Sequence, residues 1–345
     1  MTERTFSLEL DAVKAHLLDS ASRAPSAHNT QPWLLSFGES YVDISFSEAR
    51  RIPAIDPTDI DLKHALGVVL ENMLLTLSRL GLQGEYEIAD EWLPQRTVVS
   101  LCWRNLDGEP NRDLIQLERA IPIRTTSRLP YRLQPIDECL RDQMQEMAQS
   151  RCELHVLSDQ QQIDQVRKLT VQANAKQLAC PPVAAELYAW LRYSPRDIRW
   201  FRDGLNADCM ALKRWESRLA TVLTHPKVLL AGKWFGLPKL LCSSVDQQAP
   251  PTPTLCLLTT NRSKLADRIE AGRILQRLWL TAATQQYFTH PLSAAIETPG
   301  LREQVLDAFD LSHDVAHVNL FRLGRSATPA RSARLPVDEL LTVPS

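Results

Sequence analysis

The chain has 345 residues, of which 44% are hydrophobic and 23% charged, so it can bury a core, and disorder is excluded as its main state. With 39 basic and 41 acidic residues its formal net charge is -2, which disfavours nucleic acid as the main partner. Its 11 glycines form no Gly-x-Gly, which excludes phosphate loops built from glycine backbone. Side chains must therefore provide most of the contacts to any bound phosphate.

The first hundred residues predict one unit of helices and strands. An amphipathic helix is predicted over 7–22 and ends before Pro25. The elements predicted after it are strands over 34–37 and 41–46, a long apolar helix over 61–82, and strands over 86–89 and 97–103.

A second cycle of elements follows. The predicted elements are helices over 111–121 and 136–148, a strand over 152–157, a mostly helical stretch over 160–245, a strand over 255–259, a helix over 265–288 and a strand over 315–323. The stretch 192–239 carries ten Lys or Arg and four acids among tryptophans. We interpret the basic residues as the solvated face of helices whose tryptophans lie in the core, with an anionic substrate as the alternative use of the charge.

The two long helices can be overlaid at one constant offset. The matched pairs are Gly67 with Gly272, Leu70 with Leu275, Leu75 with Leu280, and Thr76 with Thr281. Four matches between apolar helices are a weak signal alone, but the order of the surrounding elements also recurs. The pattern predicts a duplicated α+β unit packed through its two long helices.

The cysteine pattern and the apolar segments indicate a compartment. The seven cysteines are scattered with no Cys-x-x-Cys pair, so a disulfide framework or a zinc site is not expected. The start of the chain lacks a signal-like apolar run, and the most apolar helix carries Glu71, Asn72 and Arg79. A soluble cytoplasmic protein without a membrane partner is predicted. His313 and His317 have metal-ligand spacing only on a helix, whereas a strand is predicted there, so no metal site is expected.

Residues 24–33 read APSAHNTQPW and place hydroxyl, amide and backbone N–H groups between a helix and a strand. Asn and Gln present donors and acceptors together, which suits the edge of a heterocycle. The alternative is an ordinary Pro/Asn turn with Trp33 filling the core. A second polar loop, RTTSR over 124–128, offers two arginines four apart that could clamp a phosphate, or it is a solvated basic loop.

These two segments resemble the signatures of the FMN-dependent nitroreductase family. In the first, Pro25, Ser26, Asn29, Gln31, Pro32 and Trp33 match the pattern. In the second, Arg124, Thr126 and Arg128 match an Arg-x-Ser-x-Arg/Lys pattern that contacts the FMN phosphate, with threonine replacing serine. The resemblance implies an α+β fold in which two units share long helices and bind FMN between them.

Two further segments resemble the family by position. Arg334, before Leu335 and Pro336, matches a basic residue on the phosphate, or is a surface residue of a C-terminal arm. Pro291, Leu292 and Ser293 follow the second long helix, where the family's backbone N–H groups approach flavin N5. The usual acidic residue and glycine of that segment are replaced here by Ser293 and Ala294.

Each half of the chain carries only part of a site, so the resemblance implies one FMN per chain and the Acg-like, single-chain pseudo-dimer branch of the family. The predicted halves are 1–110 and 111–345, with a helical lid or insert at about 185–245. The implied FMN contacts are Pro25, Ser26, Ala27, Asn29, Gln31, Arg124, Thr126, Arg128, Pro291, Leu292, Ser293 and Arg334. His28 is the one acid–base candidate in the first turn.

The function implied is an FMN-dependent oxidoreductase that takes hydride from NAD(P)H through flavin N5 and passes electrons to a small-molecule substrate. Two alternatives stay open: an FMN-dependent dehydrogenase or oxidase that tailors a biosynthetic metabolite, and a non-catalytic flavin-binding protein sealed by its lid. The chain is expected to be a monomeric pseudo-dimer or a homodimer.

Overall fold

The computed structural model describes residues 2–248 and 252–342, with side chains from 10–243 and 252–342. It contains two four-stranded antiparallel sheets surrounded by helices, so the predicted α+β class is confirmed. The ends of the predicted halves, residues 1 and 343–345, lie outside the described residues. The boundary predicted at 110 and 111 stays a prediction.

The first sheet is built from the first hundred or so residues. Its elements in chain order are helix α1 (Thr2–Ser22), strands β1 (Trp33–Phe37) and β2 (Tyr41–Phe46), helix α2 (Ile60–Arg79), and strands β3 (Leu82–Ile88) and β4 (Val99–Asn105). The strand order is β1-β2-β4-β3. Trp33 is fully buried in the same hydrophobic cluster as Leu35 and Leu66, as the alternative interpretation of its turn had it.

Helices and a second sheet follow. The helices up to the second sheet's middle are α3 (Arg112–Ala120), α4 (Glu138–Ala148), α5 (Gln160–Leu178), α6 (Pro181–Ala189), α7 (Arg214–Leu223), α8 (Pro226–Gly232) and α9 (Leu237–Gln248). The strands are β5 (Glu153–Leu157), the short pair β6 (Leu191–Arg192) and β7 (Leu205–Asn206), and β8 (Thr254–Thr260). The remaining elements are α10 (Leu265–Thr284), β9 (Phe288–Pro291), α11 (Ala294–Glu297), α12 (Arg302–Ala308) and β10 (Ala316–Gly324).

The second sheet repeats the topology of the first. Its order is β5-β8-β10-β9, which is again first, second, fourth and third strand along the chain. In both sheets the long helix, α2 or α10, lies between the second and third strands. The helical segment from α5 to α9 separates β5 from β8, where the first sheet has only the short turn between β1 and β2.

The two long helices cross at two glycines. A Cβ on Gly67 would lie 1.9 Å from the carbonyl oxygen of Ile269, and one on Gly272 would lie 2.1 Å from that of His64. The two contacts are related by the same offset that overlays the helices. A side chain at either glycine would push the helices apart, so the close packing of α2 against α10 requires glycine at both positions.

Two sequence predictions are wrong in this region. The helix predicted over 265–288 ends at Thr284, where Gln286 adopts a left-handed φ of 61°, and β9 follows. The stop was missed because no Gly or Pro marks it. Two of the three tryptophans of 192–239 that were assigned to the core, Trp215 and Trp234, are exposed.

Candidate functional site

A cavity of about 450 Å³ lies between the segments that the sequence singled out. This volume falls within the usual range of small-molecule sites. Eleven of the twelve predicted FMN contacts line it: Pro25, Ser26, Ala27, Asn29, Arg124, Thr126, Arg128, Pro291, Leu292, Ser293 and Arg334. The first four come from the first half of the chain and the other seven from the second.

The turn that forms one wall is held in an uncommon backbone conformation. His28, Asn29 and Gln31 have φ values of 47°, 56° and 49°, in the left-handed region that non-glycine residues seldom adopt. The Ser26 hydroxyl accepts a 2.9 Å hydrogen bond from the Gln31 N–H and helps to fix this shape. Such backbone persists only where the surroundings enforce it, and it clusters at functional sites.

The Asn29 side chain helps to hold this backbone conformation, because it joins the turn to two distant segments of the chain. Its Nδ2 donates to the carbonyl oxygens of Gly204 (3.1 Å) and Ala333 (2.9 Å). Its Oδ1 accepts a 2.7 Å hydrogen bond from the Arg334 guanidinium. The amide is thus engaged within the protein, and Asn29 positions Arg334 at the cavity wall.

Gln31 is the predicted contact that the structure leaves outside the cavity. Its side chain is fully buried. The Nε2 atom donates to the Arg202 carbonyl (3.0 Å), and Oε1 accepts from the Leu335 N–H (2.9 Å). These bonds tie the turn to the insert and to the C-terminal arm, so this side chain holds the wall and its atoms are not directed at a ligand.

Arg124 is a buried cation without an ion-pair partner among the described residues. The residue is 9% exposed, and its Nε and Nη1 atoms have no hydrogen-bond partner. Burial, and then the charges of Arg334 and Arg331, lower the pKa of Arg124 to about 9. A buried guanidinium with free donors is stabilised by an anion, because an anion supplies both the charge and the acceptors.

Arg334 and Arg128 share this setting. Arg334 has a free Nε, and burial lowers its pKa to about 10. Arg128 donates to the Cys209 carbonyl (3.1 Å), and burial also lowers its pKa. Across the described part of the chain, the carboxylates that form salt bridges pair with other cations, so neither arginine is neutralised by an acid.

The 291–293 segment offers fewer backbone donors than the family pattern implies. Pro291 has no N–H, and the Leu292 N–H donates to the Leu320 carbonyl (2.7 Å) within the sheet. The Ser293 N–H has no hydrogen-bond partner in the part of the chain that the structure describes. Of the three predicted residues, Ser293 alone therefore keeps a backbone donor for a ligand.

The sequence interpretation missed a group of acids and a histidine at the same cavity. Asp61, His64 and Glu297 all line it. Burial and the charge of Asp56 raise the pKa of Asp61 to about 7, and burial with Asp61 and Asp56 raises that of Glu297. His64 is 3% exposed, with both ring nitrogens unpartnered and its pKa lowered by burial. Asp61 and His64 lie one helical turn apart near the start of α2, ahead of its apolar stretch, which was the available signal.

His28, the predicted acid–base candidate, also lines the cavity. Burial, and then the charge of Arg128, lower its pKa to about 4. The ring is therefore neutral at physiological pH, which does not suit a general acid. His313 pairs with Asp307, and no cluster of metal-ligating side chains occurs among the described residues.

Part of the predicted lid contacts the site directly. Gly204 donates its N–H to the Asn29 carbonyl (3.2 Å), and Leu205 lines the cavity. The buried Arg192–Asp203 pair (2.7 Å) fixes this part of the insert. The part of the insert around residues 202–205 thus covers the 25–31 turn, whereas α8 packs against α6, α7 and α9. No helix in the described ranges is long and apolar enough to cross a membrane.

Comparison with known proteins finds nitroreductases among its matches. No family model matches the chain. Over 120 residues it is 28% identical to a Mycobacterium tuberculosis protein named "Putative NAD(P)H nitroreductase", in two strains. This alignment covers 35% of the chain and 34% of the relative, so the chain spans about a third of the length of the curated relatives it matches. The match supports the resemblance to nitroreductases.

Solved structures of nitroreductases are also similar. One from Desulfitobacterium hafniense with bound FMN aligns at 9% identity and a TM-score of 0.39, over 67% of this chain and 98% of that one. The FMN-dependent nitroreductase NfnB of Mycobacterium smegmatis, in complex with NADPH, aligns at 17% identity and a TM-score of 0.39, over 65% and 96%. The fold described above is established by the strand order and helix packing of the chain itself.

Proposed function

We propose that this protein is an FMN-dependent oxidoreductase of the nitroreductase type, with one FMN per chain and NAD(P)H as electron donor. The observation that carries the proposal is a group of three arginines, Arg124, Arg128 and Arg334, around a cavity of suitable size. Arg124 is buried and the other two are half-buried, and no described acid forms an ion pair with them. The curated relative, named as an NAD(P)H nitroreductase, supports the choice of cofactor and donor.

The arginines fit the phosphate of FMN. A phosphate monoester carries close to two negative charges and several acceptor oxygens at neutral pH. The free Nε and Nη1 of Arg124 and the free Nε of Arg334 are the donors that such oxygens need. The scarcity of glycine is consistent with this mode of binding, because guanidinium groups replace backbone donors.

When bound, the isoalloxazine ring supplies hydride acceptance and donation at N5. Asn29 keeps Arg334 at the wall, and the 25–29 turn closes one side of the cavity. The free Ser293 N–H can donate to the ring edge, where a fixed donor stabilises developing negative charge. Residues 190–212 exclude water from the turn side.

The proposal includes a single-chain pseudo-dimer with halves at 1–110 and 111–345. The shared strand order and the paired glycine contacts of α2 and α10 support a duplicated unit. The first half supplies the 25–29 turn and the second supplies the arginines. One complete site per chain follows from this division.

A second candidate is a flavin-binding protein that does not turn over. The observation that favours it is the contact of the insert, through Gly204 and Arg202, with the turn at the cavity wall. A cover held in place in this way would keep substrates from the ring. Steady-state oxidation of NAD(P)H with a quinone or a nitroarene as acceptor separates the two functions, because the second candidate predicts none.

The absorption spectrum of the purified protein tests the cofactor. We expect a flavin spectrum with one FMN per chain, lost in the double variant Arg124→Ala/Arg334→Ala. The control is Arg104→Ala, which removes an exposed arginine that pairs with Glu85. A colourless protein that takes up no FMN, a stoichiometry of two, or unchanged retention in the double variant would contradict the proposal.

A further inference from the structure

The α5–α9 segment exposes large apolar side chains at the tip of a turn. Trp234 is 89% and Phe235 90% exposed, in the 3-10 turn Lys233–Phe235 between α8 and α9. Gly236 ends this turn in a left-handed conformation with a φ of 73°. Single exposed apolar residues are ordinary on protein surfaces, whereas two adjacent exposed aromatic rings form a contiguous apolar patch that indicates an interaction site.

More exposed apolar side chains lie on α8 and α9, which contact this turn, and on α7, which contacts α8. α8 contacts α7, α9 and the turn itself. The side chains are Trp215, Leu219 and Val222 on α7, Leu230 on α8 and Leu240 on α9. Those of α7 recur at spacings of four and three residues, so they share one helical face. We call the residues 213–240 that carry these side chains the aromatic–basic surface.

The same surface is strongly basic. Its cations are Lys213, Arg214, Arg218, Lys227, Lys233 and Lys239, all exposed, and its only acid is Glu216. Its net charge of +5 contrasts with the net charge of -2 of the whole chain. Glu216 accepts a hydrogen bond from the Lys213 N–H as a helix cap, and none of the six cations is ion-paired in the part of the chain that the structure describes.

The combination selects one kind of partner. Two copies of this surface would each bring a charge of +5 into contact, which opposes self-association. A nucleic acid would use the aromatic rings for stacking but would leave Leu219, Val222, Leu230 and Leu240 without a partner. An anionic lipid interface accommodates both the basic and the apolar side chains. Its headgroups pair with lysines, while aromatic and aliphatic side chains enter the boundary of the acyl chains.

We propose that the aromatic–basic surface docks this protein peripherally on an anionic lipid membrane. This departs from the expectation, drawn from the sequence, that the protein has no membrane partner. The docking does not depend on the proposed cofactor. It would bring lipid-dissolved acceptors near the cavity, because α9 packs against α5, whose residues Thr170, Asn174 and Gln177 line it.

Vesicle co-sedimentation tests this directly. The full chain is mixed with vesicles of phosphatidylcholine alone or with about 30% phosphatidylglycerol, at low and high salt. We expect binding to the anionic vesicles only, weakened by salt. Trp234→Ser/Phe235→Ser and Lys233→Gln/Lys239→Gln should each reduce the partition coefficient about tenfold or more, by losing inserted rings or headgroup attraction.

The matched control is Arg132→Gln/Leu133→Ser, which removes an exposed adjacent cation and apolar side chain outside the surface. Its binding should equal that of the wild type. Absence of binding to anionic vesicles, or equal loss in the control, would overturn the proposal. So would self-association in light scattering, or RNA binding in a filter assay, that the Trp234/Phe235 variant abolishes without any vesicle binding.

Discussion

Replacing Arg124 by methionine removes a buried charge while keeping a long apolar side chain in its place. The guanidinium has free donors and no carboxylate partner, so the folded protein without ligand holds it at a penalty. We therefore expect Arg124→Met to stabilise the ligand-free protein and to weaken its binding of FMN. The distinctive outcome is a higher free energy of unfolding together with weaker binding of FMN.

The magnitude follows from the pKa. Burial, and then the charges of Arg334 and Arg331, lower the pKa of Arg124 well below its usual range, to about 9. Each pKa unit corresponds to about 1.4 kcal/mol, so the folded state loses up to about 5 kcal/mol at neutral pH. Because pH 7 lies below both values, the group is charged in the folded and unfolded states and the whole penalty is present; it is relieved only as the pH rises above about 9. Because Arg124 lines a cavity that solvent would fill in the ligand-free protein, part of this penalty is screened, and we expect a gain of about 2–3 kcal/mol.

Urea unfolding of the flavin-free protein at pH 7 measures the first effect, and fluorescence titration with FMN measures the second. A loss of one charged contact to phosphate should weaken FMN binding by about 2–3 kcal/mol, or roughly 30–150-fold. Arg104→Met, at an exposed paired arginine, serves as the control for both. If Arg124→Met destabilises the ligand-free protein, the guanidinium is not an uncompensated charge, and the assignment of a phosphate site to it fails.

Two further predictions concern the long helices and the acids. Gly67→Ala or Gly272→Ala should lower the free energy of unfolding by about 2–5 kcal/mol, because the new Cβ would lie about 2 Å from a carbonyl of the facing helix. Urea midpoints check this against Ser78→Ala, and unchanged midpoints would refute the close crossing. The raised pKa of Asp61, about 7, means that the folded state keeps a proton that the unfolded state has released. Stability should therefore fall as the pH rises from about 4 to about 7, and Asp61→Asn should flatten that fall by about 1–3 kcal/mol. An unchanged pH profile would show that the carboxyl is ionised throughout.

Much of the fold could be predicted from local patterns. Apolar periodicity located α2 and most of α10, and Gly38 marked the turn between β1 and β2. The end of α10 could not be predicted, because Gln286 has no intrinsic preference for a left-handed φ and takes it only in its tertiary setting. The exposure of Trp215 and Trp234 was also beyond the sequence, because large aromatic side chains are ordinarily buried to a great extent.

The candidate site divides in the same way. Arg124, Arg128 and Arg334 could be singled out because their motifs carry recognisable chemistry, and the structure brings them to one cavity. Gln31 looked like a ligand contact by residue type, yet its buried partners are backbone groups of Arg202 and Leu335. Contacts between residues more than a hundred positions apart decide such cases, and a local motif does not contain them.

The hydrogen bonds of Asn29 also set the order in which the site can be completed during synthesis. Its side-chain Nδ2 donates to the backbone carbonyls of Gly204 and Ala333, and its side-chain Oδ1 accepts a hydrogen bond from Arg334. A nascent chain therefore has the turn at residues 25–31 long before it has the partners that enforce the left-handed backbone there. The full set of Asn29 hydrogen bonds can therefore form only after residue 334 has left the ribosome.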